Sequence, residues 1–430
     1  MNRQILRLAV PNIITNLTVP LLGMADFALM GHLKAESALY VGAIALGTTV
    51  FNVVYVSFAF LRMGTGGFTA QAYGEGNEDK MALSLQRSLL AGFVMALLLV
   101  LLQYPIQYIA FSILDGGQTV KNLARQYFYI RIYAAPATLL LYGFYGWFLG
   151  MQNAKIPMII AITVNAVNIG LNFLFVLGFG MKSEGVALAS VAAQYSGLIL
   201  AFVFLLVKYK RYAVPRKLKY IAAAGELKMF FGVNGDIFIR TVLLILVLAF
   251  FTGRSAYYGE KILAVNTILF QFFLLFSYFA DGFAYAGEAL AGKAKGSGNI
   301  QLLHKTVRYL FRYGWAVAFL AFVAFLTGLP WFLKIMTNDV ELISIAGNYS
   351  FWITVIPFTG FAAFLWDGIY IGVTASKTMR NTMIFSVLFV FLPAYYGLSH
   401  IIGNHALWLA FELFLLARGI SMWVMWKKTF

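Results

Sequence analysis

Asp26 stands in GMADFALMGHL (23–33), inside an apolar run from Ile5 to Met30 whose flanking charges are Arg3 and Arg7 on one side and Lys34 on the other. A second polar group lies in TVNAVNIGLNFLF (163–175), where Asn165, Asn168 and Asn172 are spaced i, i+3, i+7. That spacing puts all three carboxamides on one helix face. An ionised carboxylate in a bilayer costs roughly 2.5–3.5 kcal/mol even on the lenient insertion scale, so burial favours its protonated form and raises its pKa. Alternatively a bound cation satisfies the charge, with Asn, Ser and backbone oxygens as hard ligands suited to small cations. Either way the chemistry is reversible cation binding.

Depth brings these residues together. Asp26 lies five residues before Gly31, Asn172 six before Gly178, and Ser190 five after Gly185. At about 1.5 Å per residue, all three sit roughly 7–9 Å inside the outer boundary of their segments. The competing reading is interhelical hydrogen-bond glue, a common role for polar residues in membrane helices. Pro11 and Pro20 flank the approach to Asp26 and are placed to bend its helix.

A second set of charges falls in the other half of the chain. Asp236 and Arg240 are i, i+4 and share a face; Asp281 and Glu288 are i, i+7, and Asp367 approaches the inner end of its segment. Arg240 lies about 18–20 Å from the start of its span by helix rise. A network of Asp236, Arg240, Asp281 and Asp367 is expected, either coupling or gating transport or holding the lobe as ion pairs. A carboxylate already matched by Arg binds cations poorly, which favours the structural or gating role. Glu412 and Arg418 are six apart, a poor helical match.

The elements that must position these groups follow from composition. Of 430 residues, 61% are hydrophobic and only 11% charged, with a mean hydropathy of +0.81. Soluble domains carry roughly 25% charged residues, and a run of about 20 apolar residues spans a bilayer core. The pattern predicts an all-α polytopic membrane protein of about twelve spans: 5–30, 37–62, 82–112, 120–150, 156–179, 185–207, 228–251, 261–286, 306–328, 342–373, 379–400 and 404–426. The net charge of +16 is concentrated at span junctions, most densely in KYKRYAVPRKLKY (208–220). Lys34, Lys182 and Arg254 are nearly all the basic residues on the opposite side. This asymmetry is the positive-inside signature; it places both termini in the cytoplasm and argues against nucleic-acid binding. The chain has no cysteine, so disulfides and thiolate chemistry are excluded. The first apolar segment is too long for a signal-peptide core and is expected to stay as a helix.

The two halves match at a constant offset of 222 residues. Asn12 pairs with Asn234, Gly31-His32 with Gly253-Arg254, GEGN (74–77) with GSGN (296–299), Gly146 and Gly150 with Gly368 and Gly372, and Lys155 with Lys377. Each half then holds six spans in one orientation: a first lobe over 1–207, a basic linker over 208–227 and a second lobe over 228–430. Parallel repeats of this kind occur in transporters. Asp26 has Leu248 at its equivalent position and Asn165 has Val387, so the architecture common to both lobes does not require them.

The stretch LAVPNIITNLTVPLLGMADFALMGHL (8–33) resembles the first helix of the multidrug and toxic compound extrusion family. VNGDIFIRT (233–241), LAVNTILFQF (263–272), ADGFAYAGEALAGKAKGSGN (280–299) and DGIYIGVTASKTMRNTM (367–383) resemble its DinF-like branch, and the similarity covers nearly the whole chain. The resemblance implies two six-helix lobes forming a V-shaped cleft with alternating access, and export of organic amphiphiles in exchange for protons or sodium ions. It also carries Asp26, Asn168 and Ser190 onto the Asp, Asn and Thr/Ser of the family's first-lobe cation site, with Tyr127 as its tyrosine. Position 172 is Asn where many DinF-like members carry a second Asp. One carboxylate fewer disfavours a divalent ion, and a neutral Asp needs no full coordination shell, which favours protons over sodium.

The expected function is therefore a cation-coupled efflux antiporter of the cytoplasmic (inner) membrane, not an enzyme, without a cofactor beyond the coupling ion and acting as a monomer. One rival is a flippase for lipid-linked or polyprenyl substrates on the same fold, for which Arg240 is a modest hint. A membrane-embedded acyl or glycosyl transferase would need a nucleophile or His/Asp pair at one depth, and none is found. His32, His304, His400 and His405 form no metal-spaced cluster.

Overall fold

The computed structural model describes residues 1–31, 37–221 and 223–429; the side chains of residues 19, 21–31, 37, 218 and 429 lie outside the described part. His32 and Lys34 fall outside it entirely. A 30-residue helix opens the chain, α1 (Asn2–Gly31), and runs helical through Pro11 and Pro20. Eleven further helices among the described residues are long and apolar enough to cross a membrane. They are α2 (Ala38–Glu75), α3 (Glu78–Leu101), α4 (Gln118–Gly150), α5 (Lys155–Gly178), α6 (Ser183–Lys208), α7 (Ala224–Tyr257), α8 (Glu260–Gly296), α9 (Ile300–Met336), α10 (Val340–Gly372), α11 (Ser376–Ile402) and α12 (Asn404–Lys428). No strand occurs among the described residues. In hydrocarbon every backbone N–H and C=O must be satisfied within its own segment, and a helix does that. Large apolar side chains such as Leu101, Leu320 and Phe389 are correspondingly exposed on helix exteriors. The chain is a multi-pass, all-α membrane protein.

The expected boundaries hold within a few residues for most spans, and α2 departs from them. It continues thirteen residues past the expected end at residue 62, through Gly64, Gly66 and Gly67. Those glycines cost helix propensity, but the segment is held by close packing against α4. A Cβ at Gly146 would collide with the carbonyl oxygen of Arg62, and one at Gly150 would meet that of Gly66 at 2.8 Å.

Contacts divide the chain into two compact units, one of residues Ile14–Phe230 and one of Met1–Ile13 with Phe231–Phe430. The dividing point lies within α1. The same local devices recur in both units 222 residues apart. Gly368 meets the Ala284 carbonyl and Gly372 that of Glu288, repeating on α10 and α8 what Gly146 and Gly150 do on α4 and α2. Gly76 and Gly298 both take positive φ, at 68° and 67°. Each is followed by an asparagine that caps the next helix: Asn77 accepts from the Lys80 N–H and Asn299 from that of Leu302. Gln152 and Thr374, non-glycine residues with positive φ, also correspond.

The core of the first unit gathers Met81 and Leu85 of α3, Phe144, Trp147 and Phe148 of α4, and Ile160 of α5. The basic stretch after α6 is bound to this unit rather than loosely tethered. Gln86 donates to the Val214 carbonyl and accepts from the Arg216 N–H, at 2.9 and 3.0 Å. Arg87 donates to the carbonyls of Tyr220 and Ile221 and pairs with Glu226, while Arg216 pairs with Asp79.

Candidate functional site

In the first unit α5 and α6 bring three of the expected residues into one chain. Asn172 Nδ2 donates to Asn168 Oδ1 at 2.9 Å, and Asn168 Nδ2 donates to Ser190 Oγ at 3.1 Å. The three are 2%, 1% and 7% exposed, so the chain is buried. Immediately after Asn172 the α-helix gives way to a π-helical stretch, Phe173–Gly178, a distortion frequent at functional sites. The i, i+3, i+7 reading is correct for Asn168 and Asn172. Asn165 turns instead to α1, donating to the Thr18 carbonyl at 3.3 Å. It thereby ties α5 to the helix that carries Asp26, eight residues further on. The Asp26 side chain itself lies outside the described residues.

Tyr127 is fully buried on α4 and belongs to a neighbouring group. Its hydroxyl lies 3.5 Å from Thr48 Oγ1 and accepts from Arg131, which also reaches Thr48 and lies over the Phe51 ring. Gly47 leaves the room that the tyrosine ring occupies. Arg131 escaped the sequence reading, although its i, i+4 relation to Tyr127 was visible.

The second unit holds two separate ion-pair groups, not the single network expected. Asp236 accepts from Arg380 at 2.6 Å and from Ser376 at 2.8 Å, both on α11. Arg240 pairs with Asp367 of α10, and Arg418 of α12 donates to the same Asp367 oxygen at 2.5 Å. The i, i+4 pairing of Asp236 with Arg240 is thus replaced by pairs across helices. Each residue finds an opposite charge on a facing helix, where desolvation makes a matched partner worth more than one along its own surface. Asp281 is half-buried and Glu288 fully buried, both on α8, and Asp281 acts through space on Arg418. With Arg240 buried and matched, its use as a hint of an anionic, lipid-linked substrate falls away. Glu412 is also buried, on α12, and accepts from Thr359 of α10.

A further polar cluster shows what satisfied membrane glue looks like. Asn266 donates to Ser255 and Asn404 at 2.7 and 2.8 Å, and its oxygen accepts from Asn404 and Trp408 at 3.1 and 2.9 Å. Every hydrogen-bonding position of that carboxamide is used within one unit. No group of three or more His, Cys, Asp or Glu placed to hold a metal ion occurs among the described residues.

Comparison with known proteins agrees with the duplication. The family described as MatE matches residues 11–174 and 237–396, two segments ending 222 residues apart. DNA damage-inducible protein F of Escherichia coli (strain K12) is 35% identical over 426 residues, covering 98% of this chain and 91% of that protein. The probable multidrug resistance protein NorM of Thermotoga maritima is 26% identical, covering 80% of this chain and 74% of its own. Among solved structures, a MOP-superfamily transporter from Pyrococcus furiosus Vc1 (DSM3638) superposes with a TM-score of 0.87 at 17% identity, over 99% of this chain and 95% of that one; at that identity the likeness shows the fold alone. The two-copy match and the near full-length relative show that this chain belongs to the MatE family of secondary multidrug transporters, on the branch of DNA damage-inducible protein F.

Proposed function

We propose that the protein exports organic amphiphiles across the cytoplasmic membrane in exchange for protons, loaded at Asp26 and supported by Asn168, Asn172 and Ser190; sodium is the alternative coupling ion. The observation that carries this reading is the buried Asn172–Asn168–Ser190 chain on α5 and α6. It is a neutral set of hydrogen-bonding groups in the unit that also contains the later half of α1. A carboxylate brought beside such a set binds a proton or small cation reversibly, because neither the ionised nor the empty site has a fixed counter-charge. Exchange then requires that cation and substrate differ in affinity for the two access states. The second unit's matched ion pairs are proposed to hold that unit or to gate it. Both termini and the 208–220 segment are placed in the cytoplasm.

The test is transport by purified protein in liposomes carrying an imposed proton or sodium gradient and a fluorescent organic cation. Dye movement should follow the proton gradient, and Asp26→Asn should make it independent of that gradient. Asn168→Ala should weaken coupling, since it removes the partner of both Asn172 and Ser190. Asp26→Asn moving dye with the wild-type gradient dependence would falsify the site assignment.

A further inference from the structure

Glu412 is the one ionisable group whose surroundings ask for a proton rather than a counter-ion. It is 4% exposed on α12. Its only described hydrogen-bonding partner is the hydroxyl of Thr359 on α10, and its Oε1 is buried without one. No charged group acts on it through space. The charged and titratable residues around it are engaged elsewhere. On α10, Asp367 holds Arg240 and Arg418, and the Tyr370 hydroxyl donates to the Met422 carbonyl. On α11, Arg380 pairs with Asp236, and Tyr395 meets Tyr258. On α12 itself, His405 accepts from Trp352, and Arg418 lies about 9 Å further along the helix axis.

Counting hydrogens sharpens this. Thr359 Oγ1 lies within reach of two acceptors, Glu412 Oε2 and the Ile356 carbonyl at 3.1 Å, but a hydroxyl has one hydrogen. If Glu412 were ionised, three acceptor oxygens would share that one hydrogen and a buried negative charge would stand unmatched. If it is the neutral acid, its O–H donates to Thr359 Oγ1 and the threonine O–H donates to Ile356. Each hydrogen then has one acceptor.

The duplication gives the group a place. Gly419 packs on Ala362 and Ala363 of α10 as Gly197 packs on Leu141 of α4, so α6 and α12 keep the 222-residue register. Position 412 therefore corresponds to Ser190, a member of the first unit's buried chain. The first unit carries its acid on α1, where the second has Leu248; the second carries its acid where the first has Ser190.

We propose that Glu412 is a second proton-binding site, built into the second unit and separate from Asp26. Its ligand is the hydron itself: the carboxylate takes H⁺ from hydronium, forming an O–H bond at Oε2 and leaving water, and gives it back by the reverse step. The inference does not rest on any role of Asp26.

Infrared difference spectroscopy of the full chain in nanodiscs tests it. At neutral pH a carbonyl stretch of a buried, protonated carboxylic acid should be present, shift in D₂O, and vanish reversibly on alkalinisation before the protein unfolds. It should persist in Asp26→Asn and be lost in Glu412→Gln. Thr359→Ala should move it to higher frequency, because the hydrogen bond is removed, and this variant serves if Glu412→Gln does not fold. A band left intact by Glu412→Gln, unshifted by Thr359→Ala, or unresponsive to pH up to unfolding would overturn the proposal.

Discussion

Asp367 accepts from two buried arginines with one oxygen while its other oxygen has no described partner. Losing the carboxylate leaves two unmatched charges, whereas losing Arg240 leaves Asp367 with Arg418. Breaking a buried pair by removing one partner costs about 3–5 kcal/mol. Asp367→Asn should therefore lower the unfolding temperature in detergent by far more than Arg240→Gln, with thermal unfolding followed by tryptophan fluorescence as the check. Equal losses would mean that the shared carboxylate is not the keystone of the cluster. At this scale the sequence was legible wherever a helix's own periodicity decided the answer, as for the face shared by Asn168 and Asn172. It was silent where partners came from other helices. Asp367 lies 127 residues from Arg240, and Asp236 lies 144 from Arg380, and i, i+4 reasoning sees only the pair along one helix. Asn165 illustrates the same limit: it lies on the right helix, yet its donor is taken by a backbone carbonyl on α1.

Among the elements, the 222-residue offset was the most productive reading, because the positions that match are those where geometry leaves little choice. Gly146 and Gly368 recur because α4 and α10 pass too close to α2 and α8 for any side chain. Gly76 and Gly298 recur because the turn takes a left-handed backbone. Gly146→Ala and Gly368→Ala should each cost about 1–3 kcal/mol by overpacking, since the atom met is backbone and cannot swing away. Gly232→Ala, on α7 with nothing within 4 Å of the new methyl, should be neutral or stabilise by up to about 1 kcal/mol through helix propensity. Comparing the fraction of protein that stays monodisperse after heating in detergent would separate the two cases. What periodicity could not deliver was where helices deviate: the π-helical stretches in α5 and α11 and the extension of α2 through its glycines. Those depend on what packs alongside, and composition argued for a loop at the glycines.

For the molecule as a whole, the distribution of charge and the fold constrain one another. Six crossings per repeat return the linker to the side on which the chain began. The structure fastens residues 211–226 to the first turns of α3 through Glu78, Asp79, Gln86 and Arg87, so the linker and the Gly76 turn lie at the same end of their unit. The positive-inside rule then assigns that end to the cytoplasm, and the far end of α3, around Asp115, to the opposite face. Because the chain contains no cysteine, single cysteines can report this without background. Lys217 and Asp115 are both exposed, and no described side-chain contact would be lost by replacing either. In intact cells, Asp115→Cys should react with a membrane-impermeant maleimide while Lys217→Cys should not, and opening the membrane should make Lys217→Cys react as fully. The reverse pattern would invert the topology and, with it, the direction in which a proton gradient could drive export. Labelling at both positions in intact cells would instead mean that the two ends of α3 are on one side, contradicting its crossing of the membrane.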